Sequence, residues 1–195
     1  MRYLALLCAG FGLAFASCGN NPQTSSPATD STVAAPVIKA GPKSALGDTA
    51  TSELMNLVSS YYNLKDALVA TDAAKADAAA AKLMSDAEGF GLIVSRQGNP
   101  AALQPHVETI QQESDALVNT KVDSIETKRA HFSKISDAMY ALLRAAELKN
   151  GGIYRQFCPM ALNDKGANWL SPESEIRNPY FGTKMMECGE VQDSL

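Results

Sequence analysis

The chain has 195 residues, 46% of them hydrophobic, with a net charge of −4, four cysteines and two histidines. That length allows one ordinary domain with a real core. The acidic balance argues against nucleic acid, whose binding rests on clustered Lys and Arg.

Arg2, an apolar run from Leu4 to Phe15, and then Ala16-Ser17-Cys18 read as a bacterial secretory signal over residues 1–17 with a lipobox. The run is shorter than the roughly 20 residues that span a bilayer. The mature chain is therefore expected to begin at a lipidated Cys18, anchored to the membrane and facing the periplasm or the exterior of the cell envelope. Removing the signal takes Arg2 and no acid, which leaves 16 basic against 21 acidic residues and a net charge of −5. Residues 18–48 carry Pro22, Pro27, Pro36 and Pro42 among Ser, Thr and Asn. Such a segment buries too little apolar surface to offset chain entropy and is expected to be a tether. Residues 49–195 form the domain.

In that domain Leu54, Leu57, Val58, Tyr61, Leu64 and Leu68 recur at spacings of three and four, which predicts a helix from about Thr51 to Val69. Thr71 and Asp72 offer an N-cap and a first-turn acid for a second, alanine-rich helix from Ala73 through Met84 toward Phe90. Gly89, Gly91 and Gly98 weaken its end. Asn99-Pro100 starts a third helix, to about Val118, with Leu103, Val107, Ile110 and Leu117 on its apolar face. Val122, Ile125, Phe132, Ile135, Met139, Leu142 and Ala146 mark a fourth, stopped by Gly151-Gly152. The expected fold is mainly α: an antiparallel four-helix bundle with a small irregular or β appendage at the C-terminus.

The appendage is expected to hold a strand within Ile153–Leu162, a turn at Asn163–Gly166 and a returning strand at Ala167–Leu170. A helical turn at Ser171-Pro172-Glu173 and a last strand from Met185 to Val191 complete it. Trp169, Tyr154, Tyr180 and Phe181 would supply its core.

Cys8 leaves with the signal and Cys18 carries lipid, so Cys158 and Cys188 remain. Cys158-Pro159-Met160 and Met186-Glu187-Cys188 are mirror images, and one antiparallel register would face Cys to Cys and Met to Met. Two chemistries fit. Thiolate and thioether are soft donors that select Cu(I) or Ag(I), with Met185 and His131 as further donors. An oxidising compartment instead favours a Cys158–Cys188 disulfide with the methionines as filler. His106 has a weaker claim than His131. Acids such as Glu113, Asp115, Asp123 and Glu126 read as solvated helix faces, no glycine loop opens a helix after a strand, and no motif flanks a nucleophile. The chain is not expected to be an enzyme.

Tyr154 to Ala161, Lys165 to Leu170, Glu175 to Gly182 and Met186 to Val191, together with Tyr62 to Leu68 and His131-Phe132, resemble a bacterial envelope domain of unassigned function. That domain occurs alone in lipoproteins and fused to periplasmic adaptors of copper and silver efflux pumps. The resemblance covers most of residues 50–192. It implies a soft-metal task for Cys158, Met160, Cys188 and His131, with Met186 beside them, in sequestration or delivery to efflux components. The chain lacks the hairpin and barrel domains of an adaptor, so it is not expected to be one.

Overall fold

The computed structural model describes residues 40–96, 100–120 and 124–195. The signal peptide, Cys18, most of the tether, Gly98, Asn99, Val122 and Asp123 lie outside the described residues. Four long helices come first: α1 (Asp48–Val69), α2 (Ala73–Val94), α3 (Pro100–Val118) and α4 (Ile125–Ala145). Each packs chiefly on its neighbour in the chain, as an up-and-down bundle requires. Among the described residues, no helix is long and apolar enough to cross a membrane.

The apolar stripes read from the sequence are the buried faces. Leu54, Leu57, Val58, Tyr61, Leu64 and Leu68 of α1, and Phe132, Ile135, Met139 and Leu142 of α4, are all essentially inaccessible. Helix α1 begins at Asp48, earlier than expected, because Gly47 turns the chain at φ 81° and its carbonyl accepts from both the backbone and the hydroxyl of Thr51. Helix α2 runs on through Gly89 and Gly91 to Val94. Tertiary packing overrides the weak propensity of glycine: Gly91 is buried against α3, where an added Cβ would lie 3.4 Å from Val107. The buried Ala76, Ala80 and Ala87 let the same helices approach closely.

Two helix ends depart from expectation. Asp72, not Thr71, caps α2 and accepts from the Lys75 amide at 3.0 Å. Helix α4 stops at Ala145, well before Gly151: the Leu148 amide returns to the Leu143 carbonyl and the Glu147 amide to that of Arg144. This is a Schellman closure, with Glu147 at φ 52° where glycine is usual. Thr71 closes α1 in the same way at φ 56°.

The C-terminal region is a three-stranded antiparallel sheet of order β2-β1-β3, with β1 Tyr154–Cys158, β2 Ala167–Ser171 and β3 Glu190–Ser194. The last strand therefore begins after the sulfur segment rather than within it. Pro172–Glu175 forms bends instead of a helical turn. Strand β2 lies in the seam between α1 and α4. Tyr61 stacks on Phe132 with ring centroids 5.3 Å apart, shares a 2.7 Å hydrogen bond with Ser136, and accepts from the Leu170 amide at 3.0 Å. Trp169 and Tyr180 extend this aromatic line into the sheet. Helices and sheet thus share one core.

Candidate thiol site and the cleft beside it

Cys158 ends β1 and is fully buried, whereas Cys188, in the segment leading to β3, is partly exposed. Their Sγ atoms lie 2.6 Å apart. The mirrored register does not make this contact. Phe157 pairs with Glu190 rather than Gly189, so even past the bulge between Arg155 and Gln156 the ladder stays one residue off the mirrored register. Gly189 sits at φ 146° where an added Cβ would lie 2.8 Å from both the Phe157 carbonyl and the Trp169 ring. Cys188 therefore meets Cys158 from a turn, its amide bonded to the Met185 carbonyl at 3.3 Å.

Asn178 fixes that turn. It is wholly buried, and its side chain donates to the Cys188 carbonyl at 2.7 Å while accepting from the amides of Tyr180 (2.8 Å) and Phe181 (3.3 Å). Its own amide bonds the Met186 carbonyl at 2.8 Å. Arg129, buried on α4, ties the same loop to the bundle: Nε donates to Pro179 O at 2.9 Å, and Nη2 to Thr71 at 3.2 Å and to the Leu68 carbonyl at 3.4 Å. Burial lowers its pKa, against the attraction of Glu126. Gly182 fits at φ 57°, where a Cβ would meet the Val69 carbonyl at 2.9 Å. The Asn-Pro-Tyr-Phe-Gly motif is thus a structural clasp, a role its Asx-turn composition allowed but spacing alone did not reveal.

Met160 and Met186 do not face each other in a ladder. Met160, 46% exposed, leads into a turn over Ala161–Asp164, and Met186 sits in the turn before Cys188. Met160 instead shares a cleft of about 850 Å³ with Met185, floored by α4 at Glu126 and Arg129. His131 is engaged elsewhere. Its Nδ1 lies 2.7 Å from Glu113 of α3, which also accepts from Lys134 at 3.0 Å. Burial raises the Glu113 pKa, but hydrogen bonds from His131 and Lys134 outweigh it and hold the carboxyl below its ordinary value. Among the described residues no three His, Cys, Asp or Glu side chains cluster as a metal site.

The chemistry open to the pair is that of vicinal thiols. The contact with Cys158, and burial after it, push the Cys188 thiol up to about 11, so at neutral pH it is mostly protonated. Sequence reasoning missed the buried cations of α4. Lys128 Nζ, fully buried, reaches Asp77 at 2.5 Å and the carbonyls of Leu117 and Thr120 at the end of α3. Only the placement of these lysine and arginine residues on the apolar side of α4 could have hinted at it.

A helical bundle sharing its core with a small sheet, and carrying one thiol pair, defines the class of this domain. Residues 57–151 match the family model described as Protein of unknown function (DUF3347). The match takes in most of the bundle, His131 included, and ends at Gly151, before the sulfur segments. No curated protein and no solved structure matches the chain.

Proposed function

We propose that this protein is a lipid-anchored module of the bacterial envelope whose helical domain is stapled by a Cys158–Cys188 disulfide and serves as an interaction module rather than an enzyme. The observation that carries the staple is the meeting of the two sulfurs at 2.6 Å, with the neighbouring loop shaped by Asn178 to hold Cys188 there. An oxidising compartment converts such a pair to the disulfide. His131, bonded to Glu113, is not needed for it. The resemblance of the tail to envelope domains fused to heavy-metal efflux adaptors makes efflux components the partner class to try first.

A second reading uses the same sulfurs. Reduced, Cys158 and Cys188 are two converging soft donors, with the exposed Met160 two residues from Cys158, and they would hold Cu(I) or Ag(I) for sequestration or delivery to efflux. One experiment separates the two. Protein isolated without reductant is assayed for thiols before and after reduction, and the reduced form is then titrated with Cu(I) under anaerobic conditions. The staple predicts no free thiol at Cys158 and Cys188 until reductant is added, and Cu(I) affinity unchanged in the Cys158→Ser, Cys188→Ser double variant. Two free thiols in the isolated protein, with Cu(I) affinity lost in that variant, would overturn the staple in favour of the metal.

A further inference from the structure

The cleft beside the thiols takes its shape from strand pairing and hydrogen bonds, not from the sulfurs. Its first wall is the loop of the β1–β2 hairpin, closed at its base by the pairing of Cys158 with Ala167. Its second wall, Tyr180 to Met185, hangs from Asn178: the side-chain oxygen accepts from the Tyr180 and Phe181 amides, and the backbone carbonyl accepts from the Gly182 amide at 3.0 Å. Arg129 in the α4 floor holds the same segment through Pro179. A floor and two walls make a trough of about 850 Å³ rather than an enclosed cavity. Such a shape suits a chain lying across it better than a small molecule, which usually buries most of its surface. The first wall also carries strain. Leu162, Asn163 and Asp164 stand at φ 53°, 59° and 62°, a left-handed run without glycine, and strain of this kind gathers at ligand clamps.

The lining of the trough is apolar along its walls and cationic at its rim. Of the large apolar side chains exposed among the described residues, Leu92, Met160 and Val191, Met160 lines this trough, with Met185 on the facing wall and Leu162 and Phe181 half-buried beside them. Methionine is the adaptable apolar contact of promiscuous binding surfaces. Lys165 and Lys184 stand exposed, one on each wall, and neither has an ion-pair partner among the described residues. In the floor Arg129 and Glu126 pair with each other, which leaves two uncommitted cations against one acid, Asp164, in a chain of net charge −4. We propose that this trough docks an extended segment of a partner protein, in which an apolar side chain seated on Met160 and Met185 is flanked by Asp or Glu that meet Lys165 and Lys184. This rests on the interaction-module reading and not on the staple.

The test titrates the full chain, carbon-13 labelled at its methionine methyls, with a blocked peptide in which a leucine pair is flanked on each side by glutamates, and separately with its lysine counterpart. The Met160 and Met185 signals should move with the glutamate peptide while that of buried Met139 stays still. Charge reversal by Lys165→Glu with Lys184→Glu, both exposed, should weaken binding of the glutamate peptide about tenfold and strengthen that of the lysine peptide, and added salt should weaken the parent complex. Met160 and Met185 unmoved at millimolar peptide, or moved equally by the lysine peptide, would overturn the proposal. Shifts confined to Met55 or Met84 would overturn it too, while leaving an interaction module with its surface elsewhere. So would anionic phospholipid vesicles that move the Met160 and Met185 signals where the peptide does not, since the partner would then be a membrane face. Two free thiols whose loss abolishes Cu(I) binding would overturn the module reading by a separate assay, and the docking proposal with it.

Discussion

On the staple reading, reducing a Cys158–Cys188 disulfide should cost this domain a measurable and calculable amount of stability. The two residues are 30 apart in sequence. On the loop-entropy account, releasing a loop of that length returns about 3.7 kcal/mol of conformational freedom to the unfolded chain. Nothing in the folded state needs to change for this to be felt. For a domain of this size, each kcal/mol moves the melting midpoint by about 2–4 °C, so reduction should lower Tm by about 7–15 °C. The assay is thermal and urea unfolding followed by far-UV circular dichroism, with and without a phosphine reductant. Fluorescence of Trp169, the single tryptophan, gives a second probe. The double serine variant should melt where the reduced parent does and ignore the reductant. A shift below about 2 °C with the disulfide verified by thiol assay would refute the reasoning, because the chain constraint does not depend on local geometry.

Asn178→Ala removes one donor and one acceptor that together serve Cys188, Tyr180 and Phe181, and should destabilise by about 2–3 kcal/mol, since each buried group left unpaired costs about 1–3 kcal/mol; urea unfolding of the oxidised protein measures it. Glu147→Gly relieves a left-handed residue on the surface and should stabilise by about 1 kcal/mol, read as a higher denaturation midpoint at unchanged slope. Alkylation of Cys188 in the reduced protein should accelerate about tenfold per pH unit and keep rising toward about 11, where an ordinary thiol would level off near 8.5. A plateau at the ordinary value would show that the Cys158 contact does not hold the proton on Cys188.

The bundle was legible because its signal is periodic. The stripe from Leu54 to Leu68 states a buried face several times over, and no single residue has to be interpreted correctly. The alanine-rich α2 outran its expected end because the fit of Gly91 against Val107 depends on α3, which lies distant in sequence. In the tail the cues were local and few. The mirrored sulfur segments pointed to Cys158 beside Cys188 but by the wrong geometry, since the ladder sets Phe157 opposite Glu190, one residue off the register on which the symmetry relied, and Gly189 seats tightly on Trp169. Pairing Met160 with Met186 failed as a ladder for that reason. The burial of Lys128 and Arg129 was invisible because a charged residue on an apolar face reads as surface until the carbonyls that satisfy it are in view.

Tyr61 binding the Leu170 amide has a consequence for where this domain can be divided. The stretch matched by the family model closes at Gly151, and the strand that fills the α1–α4 seam begins beyond it. A chain ending at Gly151 would leave the Tyr61 and Phe132 rings facing water along the length of that seam, with the tyrosine hydroxyl short of a donor. The boundary along which sequences are grouped and the boundary along which the chain becomes cooperative are therefore different, and the second lies at the final strand.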